Sequence, residues 1–165
     1  MEELKNYTKY YFLENYLFEE VSRDFNDKKI LSPFDLFAIA IWKANRNKGR
    51  IKKGIEQGKS SVSKISEILA GVDPQDEESK RNVLKKLIKA KIPGVGIPVA
   101  SAFLSVLYPE TFTIVDDRTI YAFNHHKKLK LNEKFKPDPR NTTEGYFKYL
   151  DACKRKSEEL SFKSL

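Results

Sequence analysis

The sequence predicts an all-α fold. Apolar residues recur at helical spacing through most of the chain, and several of these stretches open with a capping residue followed by proline or acids. The one strand-like run, residues 111–115, is too short to form a sheet alone. With 165 residues, the chain is expected to form one domain over residues 1–165.

The first two helices are predicted from apolar periodicity and from start signals. Residues 2–24 carry aromatic and aliphatic side chains at helical spacing. Ser32 and Pro33 suit the N-cap and the first position of a second helix. Its apolar stretch from residue 36 to residue 42 is unbroken, which predicts a central and buried helix.

A basic stretch follows at residues 43–64, with eight Lys or Arg residues and one acid, Glu56. Gly49, Gly54 and Gly58 are expected to interrupt any long helix there. A solvated face and a contact with a nucleic-acid backbone both fit this composition, and the sequence leaves both open.

Further helices are predicted in the rest of the chain. Asp73 is expected to cap one of them, with Pro74 behind it and acids in its first turn. The last helix carries apolar side chains on one face, at Tyr146, Phe147, Leu150 and Cys153. The predicted positions are about 62–69, 73–91, 98–107, a short helix after Asp116, and 143–160.

A two-lobe arrangement within the single domain is compatible with this order of helices. The core helical lobe would span residues 30–125 and contain a hairpin at 92–98. Residues 1–29 and 126–165 would form the flanking lobe, with a basic, proline-containing loop at 126–143.

Charge and composition restrict the function class. Lys and Arg number 31 against 23 Asp and Glu, a net charge of +8, which favours a polyanionic partner such as nucleic acid, although a solvated basic surface gives the same value. The single cysteine, Cys153, cannot form an intrachain disulfide, a zinc cluster or an iron–sulfur site. No metal site or other cofactor is therefore expected.

The sequence also bears on localisation. The N-terminal residues lack the features of a signal peptide. No apolar run reaches the roughly 18 residues that a membrane span needs. We therefore expect a cytoplasmic protein without membrane contact, associated with the nucleoid when it binds DNA, or a nuclear protein in a eukaryote.

The segment IPGVGIPVA at residues 92–100 is typical of a tight turn between two helices. Gly94 and Gly96 permit positive φ and close backbone approach, and Pro98 suits the first turn of the next helix. The N–H groups from Val95 to Ile97 are then expected to bind a phosphate, which positions nucleic acid without reading its sequence. A plain helix–helix connection is the alternative.

This hairpin, together with the acid that follows it, resembles the helix-hairpin-helix of the endonuclease III-like DNA glycosylase superfamily. The family pattern is roughly Leu-Pro-Gly-Val-Gly-x-Lys-x-Ala, with an essential Asp eighteen residues after the Lys. In this chain Pro98 stands at the Lys position, and Asp116 lies eighteen residues later in IVDDR. The match is close over residues 92–123, whereas the upstream helices agree only in number and order. Poorly characterised members of the same superfamily are similar too.

The resemblance implies an endonuclease III-like helical fold with a reduced second lobe, since few residues follow Asp116, unless the chain is a piece of a longer protein. It implies a monofunctional base-excision DNA glycosylase, with Asp116 as the catalytic residue and double-stranded DNA as the partner. Strand cleavage through a Schiff base is not expected, because Pro98 has no amine. The four-cysteine cluster of some members is absent. No protein partner is inferred, and a monomer is expected.

Other site residues follow from the hairpin and from neighbouring aromatic side chains. The DNA contacts are expected at Lys91, Gly94, Val95, Gly96, Ile97 and Arg118. The wall of a base pocket is expected at Trp42, Lys43 and Tyr121, with Tyr7 and Tyr10 as weaker candidates.

Structural roles explain the same residues in another way. Asp116 is suited to cap a helix that starts at Asp117, Trp42 to pack in the core, and Arg118 to form a surface ion pair. Two alternatives to an enzyme therefore stay open. One is a non-catalytic DNA-binding module in which Asp116 is only a cap, and the other is a helical protein–protein adaptor.

Overall fold

Every regular element in the computed structural model is helical over the residues that it describes, 12–125, 135 and 137–160. The all-α prediction is confirmed. Within these ranges no helix is long and apolar enough to cross a membrane. The helices are α1 (residues 12–28), α2 (Pro33–Ala44), α3 (Lys48–Glu56), α4 (Val62–Ala70), α5 (Glu77–Lys89), α6 (Ile97–Leu107), α7 (Asp117–His125) and α8 (Thr143–Glu159).

Helix α1 is longer at its C-terminal end than its apolar spacing predicted. A π-helical section, Tyr16–Val21, joins the α-helical parts Phe12–Asn15 and Ser22–Lys28. The helix ends where Lys29 adopts a left-handed conformation with φ of 54°. Tyr7 and Tyr10, the weaker pocket candidates, lie outside the described residues.

The capping residues explain where most helices begin. Ser32 Oγ accepts the N–H of Asp35 at 3.1 Å and Pro33 is the first residue of α2, as predicted. Helices α4 and α8 begin in the same way, because Ser61 Oγ and Thr142 Oγ1 each accept an N–H three residues later at 3.0 Å. Local hydrogen bonding of these short polar side chains therefore defines the boundaries that the sequence predicted.

The predicted start of α5 at Asp73 was wrong, because Asp76 is the N-cap. The Asp76 carboxylate accepts the N–H groups of Glu78 and Ser79, both at 3.0 Å. Asp73 instead accepts the N–H of Gln75 at 2.9 Å, which closes a turn before the helix. Ser79 Oγ stabilises this turn by accepting the Asp73 N–H and donating to the Gly71 carbonyl, both at 2.9 Å.

The basic stretch is more helical than its glycines predicted. Gly49 and Gly54 lie inside α3, and only Gly58, with φ of 68°, lies beyond its end. Gly54 packs directly against Pro93 of the hairpin, and a Cβ at this position would lie only 2.7 Å from Pro93 Cδ. Close contact between α3 and the hairpin therefore requires a glycine at this position.

Helix α6 is the most buried helix, since all of its residues except Pro98 are buried. Helices α1, α2 and α5 pack against it. α2 is buried at Leu36, Ile39 and Ala40, as its unbroken apolar stretch predicted. Because the hairpin leads directly into α6, burial of this helix fixes the hairpin relative to α2.

Helix α8 packs against α5 and contributes large aromatic side chains to the same apolar core. Tyr146, Phe147, Leu150 and Cys153 are all buried, in agreement with the predicted apolar face. Of the basic loop predicted at 126–143, residues 126–134 and 136 lie outside the described part of the chain.

Candidate phosphate-binding cleft

A cleft of about 880 Å³ lies between the C-terminal end of α2, the hairpin and the start of α7. Asp116, Lys43 and the hairpin residues Gly94, Val95 and Gly96 all line it. The two features that the family resemblance pairs, the hairpin and the acid, thus share one concave surface. The cleft is rich in positive charge, with five cationic and two anionic side chains: Lys43, Arg46, Arg50, Arg118 and Arg140 against Asp116 and Asp117.

Asp116 is the N-cap of α7. Its Oδ1 accepts the N–H of Thr119 at 2.8 Å, and Thr119 Oγ1 accepts the N–H of Asp116 at 3.0 Å. This reciprocal pair of hydrogen bonds fixes the rotamer of the carboxylate and satisfies a free N–H at the start of the helix. The predicted capping role is therefore present.

The second oxygen of Asp116 is bound by a lysine. Lys43 Nζ lies 2.5 Å from Asp116 Oδ2. Only 6% of the Lys43 side chain is exposed, whereas 31% of the Asp116 side chain is. The ammonium therefore lies behind the carboxylate, and the carboxylate keeps a surface toward the cleft.

The pKa of Asp116 is lowered. Burial acts to raise this pKa, but the hydrogen bond and the charge of Lys43, with the N–H groups of Thr119 and Arg118, outweigh the burial. A rise in the pKa, which burial alone would have produced, does not occur. Asp116 is therefore an anion at neutral pH and is poorly suited to hold a proton there.

Buried side chains hold the segment that leads to Asp116. Ser101 Oγ accepts the N–H of Val115 at 3.2 Å and donates to the carbonyl of Pro98 at 3.0 Å, which links the acid to the start of α6. From α8, Tyr146 OH donates to the Thr113 carbonyl at 2.8 Å and Tyr149 OH donates to the Ile114 carbonyl at 3.1 Å. These bonds position Asp116 relative to the hairpin without touching the cleft.

The hairpin offers fewer free backbone donors than its sequence predicted. Val95 N–H donates to the Ile92 carbonyl at 3.0 Å and closes the turn, so this group does not point outward. Gly96 is exposed in an extended conformation, and a Cβ there would meet only Pro98 Cδ, at 3.8 Å. The accessible backbone of the hairpin is thus centred on Gly96.

Gly94 has a different role from Gly96. Its φ is 84°, and a Cβ would lie 3.0 Å from Arg50 Cβ and 3.1 Å from the Asn47 carbonyl oxygen. Together with the contact between Gly54 and Pro93, this approach packs α3 along the hairpin. Gly94 therefore positions the hairpin by allowing its backbone to pack closely against α3.

Arg118 and Arg140 line the same cleft from the α7 side. Arg140 forms ion pairs with Asp117 and with Asp138, the latter at 2.5 Å. These contacts join the segment before α8 to the first turn of α7. They neutralise the second acid of the cleft, as Lys43 neutralises Asp116.

Some of the predicted site residues lie away from the cleft. The Trp42 indole packs edge-on against Phe18 at 5.4 Å between ring centroids, and its Nε1 donates to Glu14 at 3.0 Å, so this tryptophan is part of the core packing of α1 and α2. Tyr121 is exposed and stacks on His125. Neither ring lines the cleft, although both were expected to form a base pocket.

Two of the expected DNA contacts are also outside the cleft lining. Lys91 is exposed at a left-handed position with φ of 49°, just after α5. The Ile97 side chain is buried in the core, which leaves only its backbone for a contact.

The sequence reasoning missed several residues of the cleft. Arg46 and Arg50 belong to the basic stretch, for which a contact with a nucleic-acid backbone was one of two open interpretations, but they were not named as site residues. Arg140 comes from beyond the family-like segment, and only the folded chain brings it to Asp117. No group of three His, Cys, Asp or Glu side chains that could hold a metal ion occurs among the residues the structure describes.

No protein-family model matches the chain, and no solved structure matches it at a significant level. The resemblance to the glycosylase superfamily therefore stays a prediction from residues 92–123 of the sequence.

Proposed function

We propose that the protein binds double-stranded DNA through the cationic cleft and is a monofunctional DNA glycosylase of the endonuclease III-like superfamily, with Asp116 as the catalytic carboxylate. One observation carries the proposal. Asp116, an anion at neutral pH, lies in the same arginine-lined cleft as the hairpin whose spacing matches the family.

The proposed reaction breaks the N-glycosidic bond of a damaged or mismatched base. Positive charge develops on the sugar as the base leaves, and a carboxylate close to the anomeric carbon stabilises it. A water molecule from solvent then forms the new C–O bond at the anomeric carbon, and the proton that this water loses is matched by the proton that the departing base takes up. Asp116 suits this electrostatic role because its pKa is lowered and its carboxylate faces the cleft, with the Lys43 ammonium buried behind it. A role as proton acceptor fits less well, since both oxygens already accept hydrogen bonds.

The size of the cleft supports a substrate that leaves the base stack. Enzymes that act on a base extrude the nucleotide into a pocket. The volume of about 880 Å³ falls within the range of about 300–1,000 Å³ that is usual for pockets holding small molecules. A phosphate would lie against the exposed backbone at Gly96.

The expected product is an abasic site in an intact strand. Pro98 has no amine, and the amine of Lys43 is buried and paired with Asp116. A Schiff base with the sugar would require Lys43 to leave this ion pair. Cytoplasmic location, a monomeric state and action without a cofactor belong to the same proposal.

A non-catalytic DNA-binding module is the second candidate, and a specific observation favours it. Asp116 caps α7 and pairs with Lys43, and these contacts alone are a sufficient structural reason for an acid at this position. The two candidates share the DNA-binding cleft and differ only in whether Asp116 acts on a bound sugar.

The deciding experiment measures base release from a panel of duplexes that each contain one damaged or mismatched base, followed by alkali to cleave abasic sites. The parent protein is compared with Asp116→Asn and with Asp117→Asn, a matched change of the neighbouring acid. We expect Asp116→Asn to reduce the rate by about 10²–10³-fold. Asp117→Asn should retain activity, because Asp117 is exposed and pairs with Arg140 at the edge of the cleft.

A double variant separates loss of charge from loss of structure. Asp116→Asn leaves the buried Lys43 ammonium without its anion, whereas Asp116→Asn with Lys43→Met removes both charges. If the double variant is stable, binds DNA and is inactive, the catalytic assignment stands. If the parent releases no base from any duplex yet binds DNA, the binding module is the correct function.

A further inference from the structure

The arginines of the basic stretch have no role in the proposed chemistry, although they form one wall of the cleft. Arg46 lies in the 3₁₀ turn Asn45–Asn47 and Arg50 lies in the first turns of α3. Both are exposed, and both line the cleft that contains Asp116. Lys52 and Lys53, from the same helix, are exposed but do not line it.

The packing of α3 brings this wall directly against the hairpin. A Cβ added to Gly94 would lie 3.0 Å from the Cβ of Arg50, and a Cβ added to Gly54 would lie 2.7 Å from the Cδ of Pro93. The hairpin and the N-terminal half of α3 therefore form one continuous surface. A strand held at Gly96 would have its neighbouring phosphate close to this wall.

The charges of the cleft leave these two arginines available, together with Arg118 at the start of α7. Lys43 is paired with Asp116, and Arg140 is paired with Asp117 and Asp138. Within the described ranges, Arg46 and Arg50 form no ion pair with a carboxylate. A guanidinium binds phosphate in a planar, two-pronged geometry that a lysine cannot match.

We infer that Arg46 and Arg50 form a second phosphate-binding site, next to the hairpin, which binds a DNA strand that runs past Asp116. This inference rests on the proposed DNA-binding function and extends it to a wall of the cleft that lies outside the family-like segment. The hairpin and the arginine wall bind different phosphates, so each contributes separately to the salt dependence of binding.

The test is a potassium chloride titration of binding to a fluorescein-labelled undamaged duplex, followed by fluorescence anisotropy. The Arg46→Ala/Arg50→Ala variant should bind more weakly, and the slope of log K against log salt should move toward zero by about 1.8, because each lost phosphate contact changes it by about 0.9. Lys52→Ala/Lys53→Ala is the control, since it removes two positive charges from exposed positions of α3 that do not line the cleft. Its slope should equal that of the parent.

Two results would overturn the inference. One is an unchanged slope in the double arginine variant, and the other is an equal loss of slope in the lysine control, which would indicate general attraction by surface charge. Thermal unfolding verifies that each variant folds, and Arg46→Gln/Arg50→Gln replaces the alanine pair if the latter does not.

A hairpin variant distinguishes this inference from the proposed function. Gly96→Val adds a side chain at the exposed turn, where only Pro98 is near. If it weakens binding while the arginine variant keeps the parent slope, the DNA-binding cleft stands and the second site is wrong. If the parent does not bind duplex DNA, both proposals fall.

Discussion

Replacing Lys43 with methionine tests whether the buried ion pair determines the ionisation of Asp116. Methionine is similar in length to lysine and fills apolar space, but it provides neither the charge nor the hydrogen bond. Asp116 Oδ2 would lose its partner at 2.5 Å, and Oδ1 would keep the N–H of Thr119. The cap of α7 should therefore survive while the ionic contact is lost.

The stability loss can be estimated from the burial of the two groups. Leaving a buried polar group without its partner costs about 1–3 kcal/mol. The Asp116 side chain is 31% exposed, so water replaces part of the lost bond, and the lower half of this range is expected. In a chain of 165 residues each kcal/mol lowers Tm by about 2–4 °C.

The pH dependence of this loss has a definite sign. The pKa of Asp116 is lowered in the folded protein, so its ionic contacts stabilise the parent fully above the ordinary value of 3.8 and are lost as pH falls through the folded-state pKa. Without Lys43 the pKa of Asp116 should rise. The difference in Tm between parent and variant should thus be largest near neutral pH and shrink in acid.

Thermal unfolding between pH 3 and pH 7 measures this difference, and carbon NMR of the Asp116 carboxyl measures its pKa directly. Lys53→Met is the matched control, because Lys53 is an exposed lysine that does not line the cleft. Lys43→Arg, which keeps the charge, should restore part of the pKa shift. If Lys43→Met leaves both the carboxyl titration and Tm unchanged, the ion pair does not control Asp116, and the electrostatic argument for its anionic state is wrong.

Two further predictions concern the scaffold of the cleft. Gly94→Ala should destabilise the fold by about 1–2 kcal/mol in urea unfolding, because alanine is strained at φ of 84° and its Cβ would crowd Arg50, whereas Gly96→Ala should stay within about 0.5 kcal/mol of the parent. Equal effects at the two glycines would contradict their assigned roles. Tyr146→Phe should cost about 0.5–1.5 kcal/mol by leaving the partly buried Thr113 carbonyl without this donor; the exposed Tyr121→Phe serves as its control, and a neutral Tyr146→Phe would show that this bond does not hold the Asp116 segment.

Local sequence signals were sufficient for most of the fold. The cap and proline at Ser32 and Pro33 predicted the start of α2, and its unbroken apolar stretch predicted that this helix is buried. These features depend on neighbouring residues only. Two predictions were wrong because other contacts competed with the local signal. Asp73 does not cap α5, since its N–H is bound by Ser79 in a turn before the helix. Gly54 does not interrupt α3, since Pro93 packs closely against it inside the helix.

The interactions inside the cleft could not be read from the sequence. Lys43 and Asp116 are 73 residues apart, and Tyr146 is 33 residues from the carbonyl it binds. No periodicity or motif relates such positions, since the packing of α2, α6 and α8 brings them together. The resemblance to a known family did predict that Asp116 and the hairpin belong together, because both lie within one short segment, and the structure places them in the same cleft.

The capping role of Asp116 does not argue against its proposed catalytic role. A helix N-terminus favours a negative charge, and so do the hydrogen bond and charge of Lys43. Both contacts lower the pKa of Asp116 and hold its carboxylate in one rotamer. A carboxylate that stabilises a developing cation needs the same two properties, a fixed position and a full negative charge at neutral pH. The structural role and the proposed catalytic role of this residue therefore make the same demands, and the exposed face of the carboxylate toward the cleft is left for the proposed substrate.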